Sequence, residues 1–121
     1  MITKLKKNQV FVFGSNLKGI HGKGAALDAY KKFGATWGRC HGLDGNTYGI
    51  PTKDENFQPL SIERIRKYVD NFIEDATNYP EMEFLVTEIG CGLAGYTPRD
   101  IAPLFEKAKN IKNIILPENF K

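Results

Sequence analysis

The sequence predicts an α/β fold, with helices on both faces of a mostly parallel sheet. Three observations carry that expectation. Short, nearly all-apolar runs alternate along the chain with segments whose apolar residues recur at helical spacing, the pattern of strands joined by crossover helices. Both glycine-rich segments, 14–26 and 90–96, follow the carboxyl ends of expected strands, where ligands bind in such sheets. The chain has 121 residues, 41% of them hydrophobic, enough for one modest core and too few for two large lobes.

Each element has a local reason. Gln9–Phe13 is an apolar run stopped by Gly14, and it reads as a strand buried on both faces. Gly24–Phe33 places Ala25, Ala26, Ala29, Tyr30 and Phe33 on a helical face, and Gly34 supplies the stop. Thr36–Arg39 is ambiguous between helix and strand, and Trp37 and Phe33 are expected in the core. Leu43–Asn46 is a turn by its Asp-Gly pair, and Thr47–Ile50 follows as a short strand. The clearest helix runs from Ser61 as N-cap to Asn78, with Ile62, Ile65, Val69, Phe72, Ile73 and Ala76 on one face. Phe84–Ile89 reads as a strand, and Gly90–Tyr96 as a loop. A further helix carries Ile101, Leu104, Phe105 and Ala108. A start at Thr97-Pro98 would cost an internal hydrogen bond at Pro103. Asp100 is therefore the expected N-cap, which puts Pro103 in the first turn, where no N–H is needed. Asn113–Leu116 is the last strand, closed by Pro117.

Composition narrows the function classes. Seventeen basic against fourteen acidic side chains leave +3, spread along the chain, which suits an anionic ligand but is no footprint for long nucleic acid. The apolar runs are too short for a signal peptide or a membrane span. Cys40 and Cys91 are far apart with no CxxC spacing, so neither a disulfide framework nor a metal site is expected. A cytoplasmic protein that needs no cofactor fits these features.

The first glycine segment, Gly14–Ala26, holds four glycines between Gly14 and Gly24. Such a loop turns tightly and delivers N–H groups and the positive end of a helix to an anion. It is not a Walker A loop, because Ile20-His21 stands where Lys-Ser/Thr is required. The second, Gly90-Cys-Gly-Leu-Ala-Gly95, fits GxGxxG literally, but its helix begins several residues too late for a Rossmann fingerprint. Glycines that only make tight turns are the plainer reading of either loop alone. Two loops on one sheet edge favour a shared ligand.

Among side chains with chemistry, His21 lies inside the first loop, where a neutral imidazole serves as acid or base, or simply sits on the surface. Lys53 follows an expected strand; it is a nucleophile if its pKa is lowered, otherwise a ligand contact or a solvated cation. Cys91 is a reactive thiol or contributes only its backbone. Tyr96 stacks on a ligand or packs over the loop. His41 beside Cys40 is no catalytic pair, since adjacent residues on an extended segment point opposite ways.

Gly22-Lys-Gly-Ala-Ala26 running into a helix that ends Lys31-Lys-Phe-Gly34, then Tyr48-Gly-Ile-Pro-Thr-Lys53, then Ile89-Gly-Cys-Gly-Leu93, resembles a compact macrodomain. The nearest branch is the one that removes ADP-ribose from acidic side chains, and the chain is also similar to small macrodomain-like proteins of phages and their bacterial hosts. The likeness runs from Phe11 to about Leu116. It implies a single domain over 1–121, a three-layer α/β/α fold with a mostly parallel or mixed central sheet, and binding of ADP-ribose or another NAD-derived nucleotide. The expected ligand-binding set is Gly14, Ser15, Asn16, His21, Gly22, Gly24 and Ala25 on the first loop. On the second it is Gly90, Cys91, Gly92, Leu93, Ala94, Gly95 and Tyr96. Asn16, Gly22 and Gly24 belong to the ribose side, and the backbone of 90–94 to the diphosphate. Lys53 and His21 are the expected catalytic residues of a hydrolase acting on ADP-ribosyl esters or ADP-ribose phosphates, with an ADP-ribosylated protein as partner. The resemblance is equally compatible with a phage-type protein that sequesters a nucleotide signal. Two positions depart from the pattern. Ala94 stands where the hydrolase branch has an aspartate, and no Gly-Asp-Ile motif reads the adenine amine.

Overall fold

A computed structural model describes residues 2–121. Five strands, β1 (Gln9–Asn16), β2 (Gly42–Asp44), β3 (Thr47–Lys53), β4 (Glu83–Val86) and β5 (Ile114–Ile115), form one sheet in the order β2-β3-β1-β4-β5. The strands β3, β1, β4 and β5 run parallel, and β2 lies antiparallel on the edge beside β3. The fold is mixed α/β. Three helices accompany the sheet: α1 (Gly24–Lys32), α2 (Ile62–Thr77) and the single turn α3 (Pro98–Ile101), which continues as a 3-10 segment over Ala102–Ala108.

The alternation along β1 distributes the core. Val10 and Val12 pack with Tyr48, Ile50 and Phe84 against Ile65, Val69 and Phe72 of α2 and Leu104 and Phe105 of the 3-10 segment. Phe11 and Phe13 point the other way, onto Ala26, Ala29 and Phe33 of the α1 region. A strand that is apolar on both faces thus lies between two apolar clusters. Ser61 caps α2 as expected, its side chain accepting from the Arg64 N–H at 3.2 Å. The phenol of Tyr48 is fully buried and donates to the Asp75 carboxylate, so no polar atom is stranded there.

Several boundaries differ from the sequence expectation: β3 runs on past Ile50 to Lys53, and β5 is only Ile114–Ile115. β1 does not stop at Gly14; it continues through Ser15 and Asn16, pairing Ser15 with Pro51 and, after a register shift, Asn16 with Lys53. Gly14 is there for close approach: a Cβ would lie 3.3 Å from Thr52 Oγ1 and 3.5 Å from the Gly90 nitrogen. β2 replaces part of the expected Leu43–Asn46 turn, whose Asp44-Gly45 signal overlaps the end of the strand. β4 ends at Val86, since the chain bends so that the Ile89 N–H meets the Thr87 carbonyl at 2.8 Å.

The last helix begins at Pro98, with Thr97 as N-cap instead of Asp100. Asp100 closes a capping box from the third helical position, its carboxylate accepting from the Thr97 N–H at 2.9 Å. Pro103 is accommodated because the chain tightens to 3-10 after Ile101, which removes the demand for an α-helical bond at that proline. Trp37 is half-exposed on the surface and not in the core, meeting Tyr30 edge-on at 5.3 Å.

Candidate functional site

The carboxyl ends of β1, β3 and β4 open into a cleft of about 610 Å³. One wall is the end of the first glycine loop and the first turn of α1, with Gly22, Lys23, Gly24, Ala25 and Ala26. Another is the second loop, with Gly90, Gly92, Leu93 and Ala94, together with Thr87, Glu88 and Ile89 leading into it. Gly14, Asn16, Ile20, Thr52, Lys53 and Phe57 complete the lining.

The walls are built to meet negative charge. The first N–H groups of a helix have no intrahelical acceptor. In α1 the N-cap residue Lys23 offers no side-chain cap, and no acidic residue occupies the first turn. The positive end of that helix therefore faces the cleft unneutralised. In the second loop, the Gly95 N–H closes onto the Gly92 carbonyl at 3.0 Å and the Tyr96 N–H onto the Gly90 carbonyl at 2.9 Å. Those two bonds fix the loop. Among the described residues, the N–H groups of Gly92, Leu93 and Ala94 have no acceptor in the chain. Gly92 also leaves room, since a Cβ there would meet no atom within 4 Å. Lys23 and Lys53 bring positive charge to the lining, and Glu88 is its one carboxylate among the described residues.

Several expected site residues play other parts. His21 has 0% exposure and cannot touch a ligand in this arrangement. Its Nε2 lies 2.9 Å from the Thr36 carbonyl and so carries the proton, while Nδ1 is buried without a partner. Phe13 and Trp37 meet its ring edge-on, at 5.4 and 6.1 Å. The imidazole pins the first loop to the 36–39 turn, correcting the expectation of a catalytic or ligand-facing group. Ser15 is buried, its hydroxyl donating to the Cys40 carbonyl. Asn16 lines the cleft and also shapes it, donating to the Ile20 carbonyl at 2.8 Å and accepting from the Ile20 N–H at 3.1 Å.

Cys91 points its thiol at the Ile89 carbonyl, 3.4 Å away. Burial first, then the Glu88 and Asp100 carboxylates, push that thiol up to about 11, so it is no activated nucleophile. Gly95 and Tyr96 stand outside the lining. The Tyr96 hydroxyl donates to the Leu60 carbonyl at 2.7 Å, tying the second loop to the start of α2. Lys53, at the end of β3, does reach the cleft; its Nζ sits 5.9 Å from the centre of the Phe57 ring.

No family model, curated protein or solved structure matches this chain. The site therefore stands on its own geometry. Among the described residues no three His, Cys, Asp or Glu side chains gather as a metal would require, and no helix is long and apolar enough to cross a membrane.

Sequence reasoning missed Lys23, Thr52, Phe57 and Glu88. Lys23 and Thr52 adjoin the expected site residues Gly22, Gly24 and Lys53. Phe57, an aromatic among Glu55, Asn56 and Gln58, carried a signal in its polar surroundings. Glu88 carried none.

Proposed function

We propose that the cleft binds ADP-ribose or a related NAD-derived nucleotide, and that residues 1–121 form one macrodomain-like domain with α/β/α layering. The observation that carries this reading is the pairing of an uncapped helix N-terminus with unpartnered N–H groups of a second loop, on walls of a single cleft. Such donors bind a diphosphate without any specific side chain. The volume lies within the range of small-molecule and cofactor sites. The weak net charge favours a mononucleotide-sized ligand over long nucleic acid. The free cysteines Cys40 and Cys91 are consistent with a reducing, cytoplasmic setting. Calorimetric titration with ADP-ribose, NAD, AMP and cyclic ADP-ribose, followed by mass spectrometry of the retained ligand, tests the reading. Failure of all four to bind would remove it.

A reading with turnover rests on Lys53, which lines the cleft with no carboxylate in ion-pair reach among the described residues. It would make the protein a hydrolase of ADP-ribosyl esters or ADP-ribose phosphates, with an ADP-ribosylated protein as substrate. Ala94 weighs against it, because it brings no acid to the second loop. A protein that holds and sequesters a nucleotide signal, as a phage protein would, requires only the binding.

A further inference from the structure

Phe57 is the one non-glycine residue with a left-handed backbone among those described, at φ 63°. For a bulky side chain that conformation is costly, and glycine or asparagine would serve better. The ring is 43% exposed. The loop around it is nevertheless tightly made. The Asp54 carboxylate accepts from the Asn56 N–H at 2.8 Å and the Gln58 N–H at 3.0 Å. The Phe57 N–H meets the Asp54 carbonyl at 3.0 Å, and the Asp54 N–H meets the Gln58 carbonyl at 2.8 Å. A strained, water-exposed aromatic is thus held firmly on the lining of the cleft. Strain of this kind persists where the surroundings enforce it, and it clusters at ligand sites.

The neighbours of the ring indicate what it meets. The ammonium groups of Lys18 and Lys53 each stand 5.9 Å from its centroid, the outer limit of a cation–π contact, so either moves aside at little cost. Neither is paired with a carboxylate among the described residues. Leu93, 64% exposed, is the other large apolar side chain that the cleft leaves open to water. An apolar face with two unpaired cations beside it suits a flat ring attached to an anionic group.

We infer that Phe57 is the stacking platform for the aromatic base of the bound nucleotide, with Lys18 and Lys53 beside it for the phosphate of the same nucleotide. The inference rests on the nucleotide reading of the cleft and adds a specificity-determining residue to it. A ring stacked on Phe57 is recognised by its π-face, so any purine is accepted and base-free phosphates gain nothing from the contact.

The test compares the wild type with Phe57→Gly and Phe57→Trp, by calorimetry with ADP-ribose and with inorganic pyrophosphate and by thermal unfolding. Glycine relieves the left-handed strain, so the thermal midpoint of Phe57→Gly stays level or rises. Its affinity for ADP-ribose falls about tenfold, the loss of one base–aromatic stack, while pyrophosphate binding is unchanged. Phe57→Trp keeps the ADP-ribose affinity. Unchanged ADP-ribose binding in Phe57→Gly, or an equal loss for both ligands, overturns the platform while the cleft remains a nucleotide site. Absence of ADP-ribose binding in the wild type overturns the nucleotide reading and the platform with it.

Discussion

The imidazole of His21 and the carbonyl of Thr36 are joined by a 2.9 Å hydrogen bond inside the molecule, and that bond decides what the histidine of the first loop does. A group with no exposed surface, donating through Nε2 and ringed by Phe13, Tyr30 and Trp37, acts on the loop and not on a ligand. His21→Ala removes a buried ring and one of the two donors to the Thr36 carbonyl, which keeps the Arg39 N–H at 3.1 Å. Losses of roughly 2–4 kcal/mol in unfolding free energy are expected from such a change. Denaturant unfolding checks this, and a stability equal to the wild type would mean the ring is not holding the loop.

Two of the three glycines of the second loop, Gly90 and Gly92, should respond in opposite ways. Gly92 has ordinary backbone angles and open space where a Cβ would go. Gly92→Val should therefore unfold within about 0.5 kcal/mol of the wild type, as other unconstrained surface changes do, yet bind ADP-ribose far more weakly, because the side chain enters the cleft. Gly90 sits at φ 74°, and a Cβ there would approach Ile101 Cδ1 to 3.1 Å. Gly90→Ala should cost at least ~1–2 kcal/mol from the left-handed backbone alone. Paired unfolding and titration of both variants would show whether the separation of binding from folding holds.

How much of this was legible beforehand follows from where each signal resides. The second helix was readable because Ser61 and the run from Ile62 to Ala76 state cap and period within one local stretch, and both hold in the structure. The added strand residues Gly14–Asn16 were not, because glycine, serine and asparagine advertise a loop, and only the partner Pro51–Lys53 segment makes them strand. At Thr97–Asp100 the capping-box spacing was present, but the objection from Pro103 assumed an α-helix throughout; the change to 3-10 removes it. The glycines of the cleft could be found because their chemistry is in the backbone. His21 and Glu88 could not be placed, since burial and cleft lining are properties of the tertiary arrangement.

Cys91 should behave as an unreactive thiol. With its ionisation pushed up to about 11 by burial and by the Glu88 and Asp100 carboxylates, little thiolate exists near neutral pH. In a Cys40→Ser protein, alkylation by iodoacetamide should be slow at neutral pH and accelerate as the pH approaches 11. A rate at neutral pH matching an activated cysteine would reverse the assignment and return the thiol to the list of nucleophiles.

Asp100 gives the fold an acid-sensitive contact. Its hydrogen bonds from the Thr97 N–H and hydroxyl, in that order, hold its pKa below the usual carboxylate value, with Arg99 assisting. A depressed folded-state pKa contributes stability above the unfolded value, about 3.9, and the contribution is lost as pH falls through the folded value. The difference in thermal midpoint between wild type and Asp100→Asn should thus be present at neutral pH and shrink on acidification below about pH 4. A gap independent of pH would show that the box is not held by the charged carboxylate.

Whether the cleft turns anything over depends on a proton carrier. Release of ADP-ribose from an acidic side chain by a lysine-and-carboxylate mechanism needs a nucleophile at the anomeric carbon and a carboxylate to move the proton. Lys53 lines the cleft for the first task, but Ala94 leaves the second unfilled. Of the sequence candidates to replace it, His21 is buried away from ligand and Asp100 is engaged in its capping box. The remaining acid is Glu88, which lines the cleft while one carboxylate oxygen accepts from Asn119 Nδ2 at 2.7 Å. General acid–base assistance is worth ~10²–10⁴ in rate, so a site lacking a well-placed carboxylate should bind its nucleotide and release it slowly at best. Single-turnover release from an aspartyl- or glutamyl-modified protein, compared among wild type, Lys53→Ala, Glu88→Gln and Ala94→Asp, measures this directly. The expected outcome is tight binding with negligible release in the wild type and a gain in Ala94→Asp. Fast wild-type release that disappears in both Lys53→Ala and Glu88→Gln would instead make Glu88 the acid and the protein an enzyme.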